Sequence, residues 1–204
     1  MRTPNGKPSP GTSACRFVEF THPQSVFVNL YSAFDPIGAI LSNWRMRTVT
    51  KHVKPGQLVD LACGDNRLVR RLGRGVGVDV QDFANVDEVC PDFSKLPFDD
   101  NSVATVTIMA ALNYFDEPKA VMKELHRILA PDGVIVITLL NKRVSHWWHK
   151  LRDRGLKRIA YSESEVRDIL DGTGLCLIKK HAFMLGLNWV YLVVPETIGD
   201  KSGS

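Results

Sequence analysis

The sequence predicts an α/β domain built on a mostly parallel sheet. Three observations point there. From residue 54 onward, short β-branched runs alternate with stretches of helical periodicity. Residues 134–140 are apolar at nearly every position, as expected of a strand covered on both faces. The last two apolar runs, 175–183 and 189–194, are separated only by residues 184–188, which suits an antiparallel hairpin.

The elements follow in order. Residues 17–52 read as helical. Asp35-Pro36 can start a helix, and Ile37, Ile40, Leu41 and Trp44 fall on one face of it. Lys54-Pro55-Gly56 ends that region. Residues 58–62 form a short apolar run bounded by turn residues, hence a buried first strand. A short helix over 67–72 turns Leu68, Val69 and Leu72 inward. Residues 75–79 are the second strand and 86–89 the third. Only six residues separate those two, whereas a parallel crossover usually needs a dozen or more. Either a helix there has shrunk to about one turn, or the third strand lies elsewhere. Residues 104–109 are a β-branched fourth strand. A helix over 116–129, with Asp116 as N-cap, carries Val121, Met122, Leu125, Ile128 and Leu129 at helical spacing. Pro131-Asp132-Gly133 reads as a turn before the fifth strand. Ser162 with Glu165 makes a capping box for a helix to Leu170.

Composition bounds the function classes. A chain of 204 residues with 44% hydrophobic and 24% charged residues suits one globular domain. No apolar run approaches the ~18 residues of a membrane span. Residues 1–16 and 197–204 read as a disordered lead and tail, 17–53 as N-terminal helices forming a cap or lid, and 54–196 as the main domain. Cys15, Cys63, Cys90 and Cys176 are scattered, without metal-ligand spacing, and read as reduced thiols of a cytoplasmic protein. The net charge of +4 does not by itself imply nucleic acid. The charge is uneven: residues 142–158 hold seven Lys/Arg, two His and one Asp, with Trp147 and Trp148 among them. That segment reads as a solvated helix face, a lid over an acceptor pocket, or a basic surface for a membrane or an anionic substrate.

In open α/β sheets, ligands sit beyond the carboxyl ends of the strands. The first strand runs into Asp60-Leu61-Ala62-Cys63-Gly64-Asp65-Asn66, where small residues let backbone approach a ligand and Gly64 is free to take positive φ. The second strand ends at Asp79-Val80. An acid there can accept two hydrogen bonds from a ribose. The third leads to Asp92-Phe93, an acceptor for an exocyclic amine beside an aromatic ring. The fourth ends at Met109, and Ala110-Ala111-Leu112-Asn113-Tyr114-Phe115 would lie over a reacting centre.

In order and spacing, Leu58 through Gly64, Gly77-Val78-Asp79, Asp92 through Ser102 and Glu124 through Gly133 resemble the class I S-adenosylmethionine-dependent methyltransferases. The resemblance covers roughly residues 25–195, and is loosest where it points to small-molecule methylases of the ubiquinone and menaquinone pathways. It implies a Rossmann-like three-layer αβα sandwich with a mostly parallel seven-stranded sheet and an antiparallel C-terminal hairpin. It implies S-adenosyl-L-methionine as cofactor, S-adenosyl-L-homocysteine as product and a small-molecule acceptor, with no nucleic acid. By position it assigns Ala62, Cys63 and Gly64 to the methionine moiety and Asp60 to its ammonium. Asp79, with Val80 beside it, goes to the ribose, and Asp92 and Phe93 to the adenine. Met109 and Ala110 supply backbone near the methionine. Asn113 and Tyr114 are candidates near the methyl, and His146 and His149 lie further along. The family's Gly-x-Gly-x-Gly stands here as Ala62-Cys63-Gly64-Asp65-Asn66, two glycines short. An RNA or protein methyltransferase, or a catalytically silent cofactor-binding domain, are the competing expectations.

Overall fold

A computed structural model describes residues 36–142 and 160–196. The chain divides into two units, Met1–Ala39 and Ile40–Ser204, and the second holds every described strand. The expected helix over 17–35, the lead and tail, and the basic segment beyond Lys142, with His146, Trp147 and His149, lie outside the described residues.

Four α-helices are described: α1 (Pro36–Thr50), α2 (Arg67–Leu72), α3 (Pro118–Ile128) and α4 (Glu163–Leu170). The strands are β1 (Leu58–Leu61), β2 (Val76–Asp79), β3 (Glu88–Val89), β4 (Val103–Met109), β5 (Leu129–Leu140), β6 (Leu175–Phe183) and β7 (Asn188–Pro195). They form one sheet in the order β3-β2-β1-β4-β5-β7-β6. The first five are parallel, and β7 runs antiparallel between β5 and β6.

Alternation along each strand sends side chains to two cores. On one face, α3 and α4 bury Val121, Met122, Leu125, Val166 and Leu170 against Val106, Ile108, Ile135, Ile137 and Tyr191. On the other, Met46 and Val49 of α1 and Leu68 of α2 pack on Val134, Val136, Val190 and Leu192. Covering both faces is what lets β5 be buried throughout 134–139, with Thr138 the one polar residue of the run. Burying one such Leu or Ile side chain contributes roughly 1.5–3 kcal/mol.

Three boundaries depart from the sequence reading. First, α3 begins at Pro118 with Glu117, not Asp116, as its N-cap. Proline suits the first helical position because its missing N–H has no partner there. It also pushes the residue before it out of the helical region, and Glu117 has φ −120° and ψ 69°. Second, Pro131-Asp132-Gly133 is not a turn before β5 but an irregularity inside it. Val103 pairs with Leu129 and Thr105 with Val134, so β5 spends five residues where β4 spends two. Third, β3 shrinks to two exposed residues, Glu88 and Val89, and the link from Asp79 contains no helix. The strand is nonetheless parallel and in register, with Val78 opposite Glu88.

Candidate functional site

The carboxyl end of β1 delivers Asp60 and then bends sharply. Ala62, Gly64 and Asn66 all have φ of 56–58°, so left-handed residues alternate through the bend. For Ala62 and Asn66 this conformation costs about 1–2 kcal/mol each, less for Asn, and local contacts must offset it. Cys63 N–H donates to the Val78 carbonyl at 3.1 Å, and Asn66 N–H to the Cys63 carbonyl at 3.1 Å. The bend brings Gly64 onto Asp79: the Gly64 N–H donates to Asp79 Oδ2 at 2.9 Å. Gln81 N–H donates to Asp79 Oδ1 at 3.2 Å. Each carboxylate oxygen keeps a further lone pair, so Asp79 can still accept from a ligand. A Cβ placed on Gly64 would meet nothing within 4 Å, so space lies open at the bend.

Asp60 sits beneath. It is 1% exposed, and Thr107 Oγ1 donates to its Oδ1 at 2.5 Å, while Oδ2 has no partner. Burial raises the Asp60 carboxyl to about 7, against the Thr107 hydrogen bond and with help from the Asp79 charge. Burial, Asp60 and Asp79 likewise push the Cys63 thiol upward, so it stays protonated. The result is an electronegative recess with an unsatisfied buried oxygen, suited to an ammonium or hydroxyl donor.

Asn66 does work that the sequence reading missed. Its Nδ2 donates to the Asn85 carbonyl at 2.8 Å and to Asp87 Oδ2 at 2.7 Å. Asp87 Oδ2 also accepts from Gly77 N–H at 2.8 Å. Asn66 thus ties the bend after β1 to the link before β3, where a crossover helix would otherwise set the spacing. Its amide fills the place of a Gly77 side chain: a Cβ there would lie 2.1 Å from Asn66 Oδ1. The unusually short link between β2 and β3 was the available signal for this brace.

The other candidates fall along the same edge. Val80 is 45% exposed beside Asp79. Asp92 is exposed, and Ser94 holds its Oδ1 through N–H at 2.9 Å and Oγ at 2.6 Å, which lowers its carboxyl below the usual range. Phe93 is buried and meets Phe115 edge-on, with ring centroids 5.4 Å apart. Met109 packs against the α1 face. Ala110 takes φ 55°, and its N–H donates to both the carbonyl and Oγ1 of Thr138. Asn113 and Tyr114 lie in a 3-10 turn, Leu112–Tyr114, with Tyr114 51% exposed. Asp60, Ala62, Cys63, Gly64, Asp79 and Val80 therefore share one corner, the Met109–Tyr114 stretch follows the adjacent strand, and Asp92 follows β3 two strands from β1.

A seven-stranded sheet in this order, with its last-formed strand reversed and an acid-lined bend at the β1–β2 edge, defines the class I methyltransferase fold. Comparison with known proteins agrees. Residues 59–137 match the family model described as a methyltransferase domain. Over those residues the chain is similar to the methyltransferase domain, and the fold is that of the class I methyltransferases. It is 31% identical over 137 residues to a demethylmenaquinone methyltransferase of Staphylococcus saprophyticus, covering 54% of this chain and 59% of that one. It is 30% identical over 138 residues to the protein of that name in Staphylococcus epidermidis, covering 55% of this chain and 57% of that one. The match thus spans under two thirds of these curated relatives' length. Among solved structures, an S-adenosylmethionine-dependent methyltransferase of Thermotoga maritima superposes with a TM-score of 0.69 at 17% identity, over 84% of this chain and 97% of that one. Geranyl diphosphate C-methyltransferase of Streptomyces coelicolor gives 0.60 at 16% identity, over 78% and 80%. At these identities the structures speak to the fold.

Proposed function

We propose that this chain binds S-adenosyl-L-methionine at the β1–β2 corner and methylates a small-molecule acceptor. The carrying observation is the Gly64–Asp79 contact, which sets an acid and an open glycine bend side by side above the partnerless Oδ2 of Asp60. Asp79 takes the ribose hydroxyls on its remaining lone pairs. Asp60 supports the ammonium of the methionine part, and Ala62, Cys63 and Gly64 line it. Val80, exposed beside Asp79, borders the ribose, with Phe93 flanking the adenine and Asp92 accepting from its exocyclic amine. The backbone of Met109 and Ala110 borders the methionine chain. The cofactor supplies an electrophilic methyl on a sulfonium. The protein's part is to hold an acceptor in line and exclude water, which can contribute roughly 7–11 kcal/mol. Asn113 and Tyr114 stand where they can orient that acceptor.

A small acceptor is supported by relatives named for demethylmenaquinone and by a structural neighbour solved with geranyl diphosphate and S-adenosyl-L-homocysteine. No described helix is long and apolar enough to cross a membrane. We read the protein as cytoplasmic, with residues 142–158 as its contact to a membrane surface or an anionic substrate. Calorimetric titration with S-adenosyl-L-homocysteine tests the proposal. Saturable one-to-one binding is expected, and none at millimolar ligand would reject it.

A further inference from the structure

On the opposite flank of the carboxyl edge lies a cation that no carboxylate of the described residues answers. Arg45, in the second half of α1, points toward the start of β7, where its Nη2 donates to Asn188 Oδ1 at 3.3 Å. Its Nε is sealed from solvent and has no hydrogen-bond partner. No carboxylate among the described residues pairs with it. Burial lowers its affinity for a proton, the mark of a charge held without compensation. Asn188 is itself 3% exposed, its Nδ2 donates to the Met184 sulfur, and its uncharged amide cannot neutralise a guanidinium. A part-buried guanidinium whose Nε is unbonded and whose one contact is a neutral amide keeps donors free for an anionic ligand. Guanidinium matches a carboxylate, a phosphate or an ionised hydroxyl through paired N–H donors.

Position selects between the two ligands of the proposed reaction. Asn188 stands opposite Leu140, at the carboxyl end of β5. The Gly64 bend follows β1, three strand spacings from β7 in the order β1-β4-β5-β7, or roughly 14 Å. The methionine part of the cofactor belongs to the β1 end, so Arg45 faces the acceptor's side. Met109, at the end of β4 between them, packs on this same face of the sheet. We propose that Arg45 binds an anionic oxygen of the methyl acceptor, so that this domain selects acceptors carrying a carboxylate, a phosphate or an ionised hydroxyl over neutral molecules of the same shape. The inference rests on the methyltransferase reading above.

The test uses protein saturated with S-adenosyl-L-homocysteine and two fluorescent probes of matched shape, 2-naphthoate and neutral 2-naphthamide. Wild-type protein should bind the naphthoate at least tenfold more tightly. Arg45→Met should bring the two affinities within about twofold of each other, and Arg45→Lys should keep part of the preference. The affinity for S-adenosyl-L-homocysteine should move less than twofold in both variants. Equal binding of the probes by wild-type protein would overturn the assignment, as would a loss in Arg45→Met that falls on S-adenosyl-L-homocysteine instead, which would place the guanidinium on the cofactor carboxylate. If Arg45→Met does not fold, wild-type protein and Arg45→Lys decide the matter alone. A wild-type protein that binds no S-adenosyl-L-homocysteine defeats the methyltransferase reading, whatever the probes do.

Discussion

Two acids at neighbouring strand ends have opposite environments, and each sets its own experiment. Asp79 already accepts from two backbone N–H groups and stands ready for hydroxyls. Asp79→Ala removes hydrogen bonds to a charged acceptor, and S-adenosyl-L-homocysteine should bind roughly 1.5–3 kcal/mol more weakly by calorimetry. Asp60 is buried with one oxygen unpaired, and its carboxyl is raised to about 7. The native state therefore holds a proton on Asp60 that the unfolded chain releases above pH ~4. More protons bound in the native state means that stability falls as pH rises. The Asp60 contribution is fully present below the unfolded value and is lost as pH climbs to about 7. Its slope is at most about 1.4 kcal/mol per pH unit. Urea melts of wild type and Asp60→Asn between pH 5 and 8 should diverge, the wild type losing stability relative to the variant as pH increases.

Between elements, the Asn66 brace and the α4 cap are the separable devices. Gly77→Ala would drive a methyl into the Asn66 amide and should cost about 1–3 kcal/mol in denaturant unfolding. In Asn66→Gly the added methyl meets no amide. The double variant should therefore lose less than the sum of the two single losses, a coupling that a mutant cycle reads directly. Ser162 caps α4 by accepting from Glu165 N–H, and Glu165 answers by accepting from Ser162 N–H at 2.7 Å. Ser162→Ala should cost about 0.5–2 kcal/mol by the same assay. The capping box was legible because two residue types at a fixed spacing carry it. The brace was not, because its members at 66, 77, 85 and 87 meet only once the sheet has formed. The start of α3 was misplaced by two residues because Asp116 is the better cap by residue type, while Pro118 fixes where the helix can begin.

Across the whole molecule, the sheet and both cores were readable from periodicity, since strands covered on both faces leave continuous apolar runs. The placement of the candidate corner was readable too, because Asp60, Gly64 and Asp79 lie at or just beyond the ends of β1 and β2. Arg45 was not: on α1 it is one of two arginines, and only packing shows that no carboxylate of the described residues pairs with it. Ligand linkage checks the site globally. S-adenosyl-L-homocysteine at about 100 times its dissociation constant should raise unfolding stability by about 2.7 kcal/mol, seen as a higher thermal midpoint, and Asp79→Ala should shrink that gain at equal ligand concentration. The position of β7 carries a further consequence. The last described strand lies in the interior of the sheet, and among the described residues β6 pairs with β7 alone. During synthesis the ribosome releases β5 with one border bare and β6 with nothing to join, so the nascent polypeptide must wait for Asn188–Pro195 before it can close. Until then an apolar ribbon stays open to adhesion with other chains, and closure of the sheet is bound to the synthesis of β7.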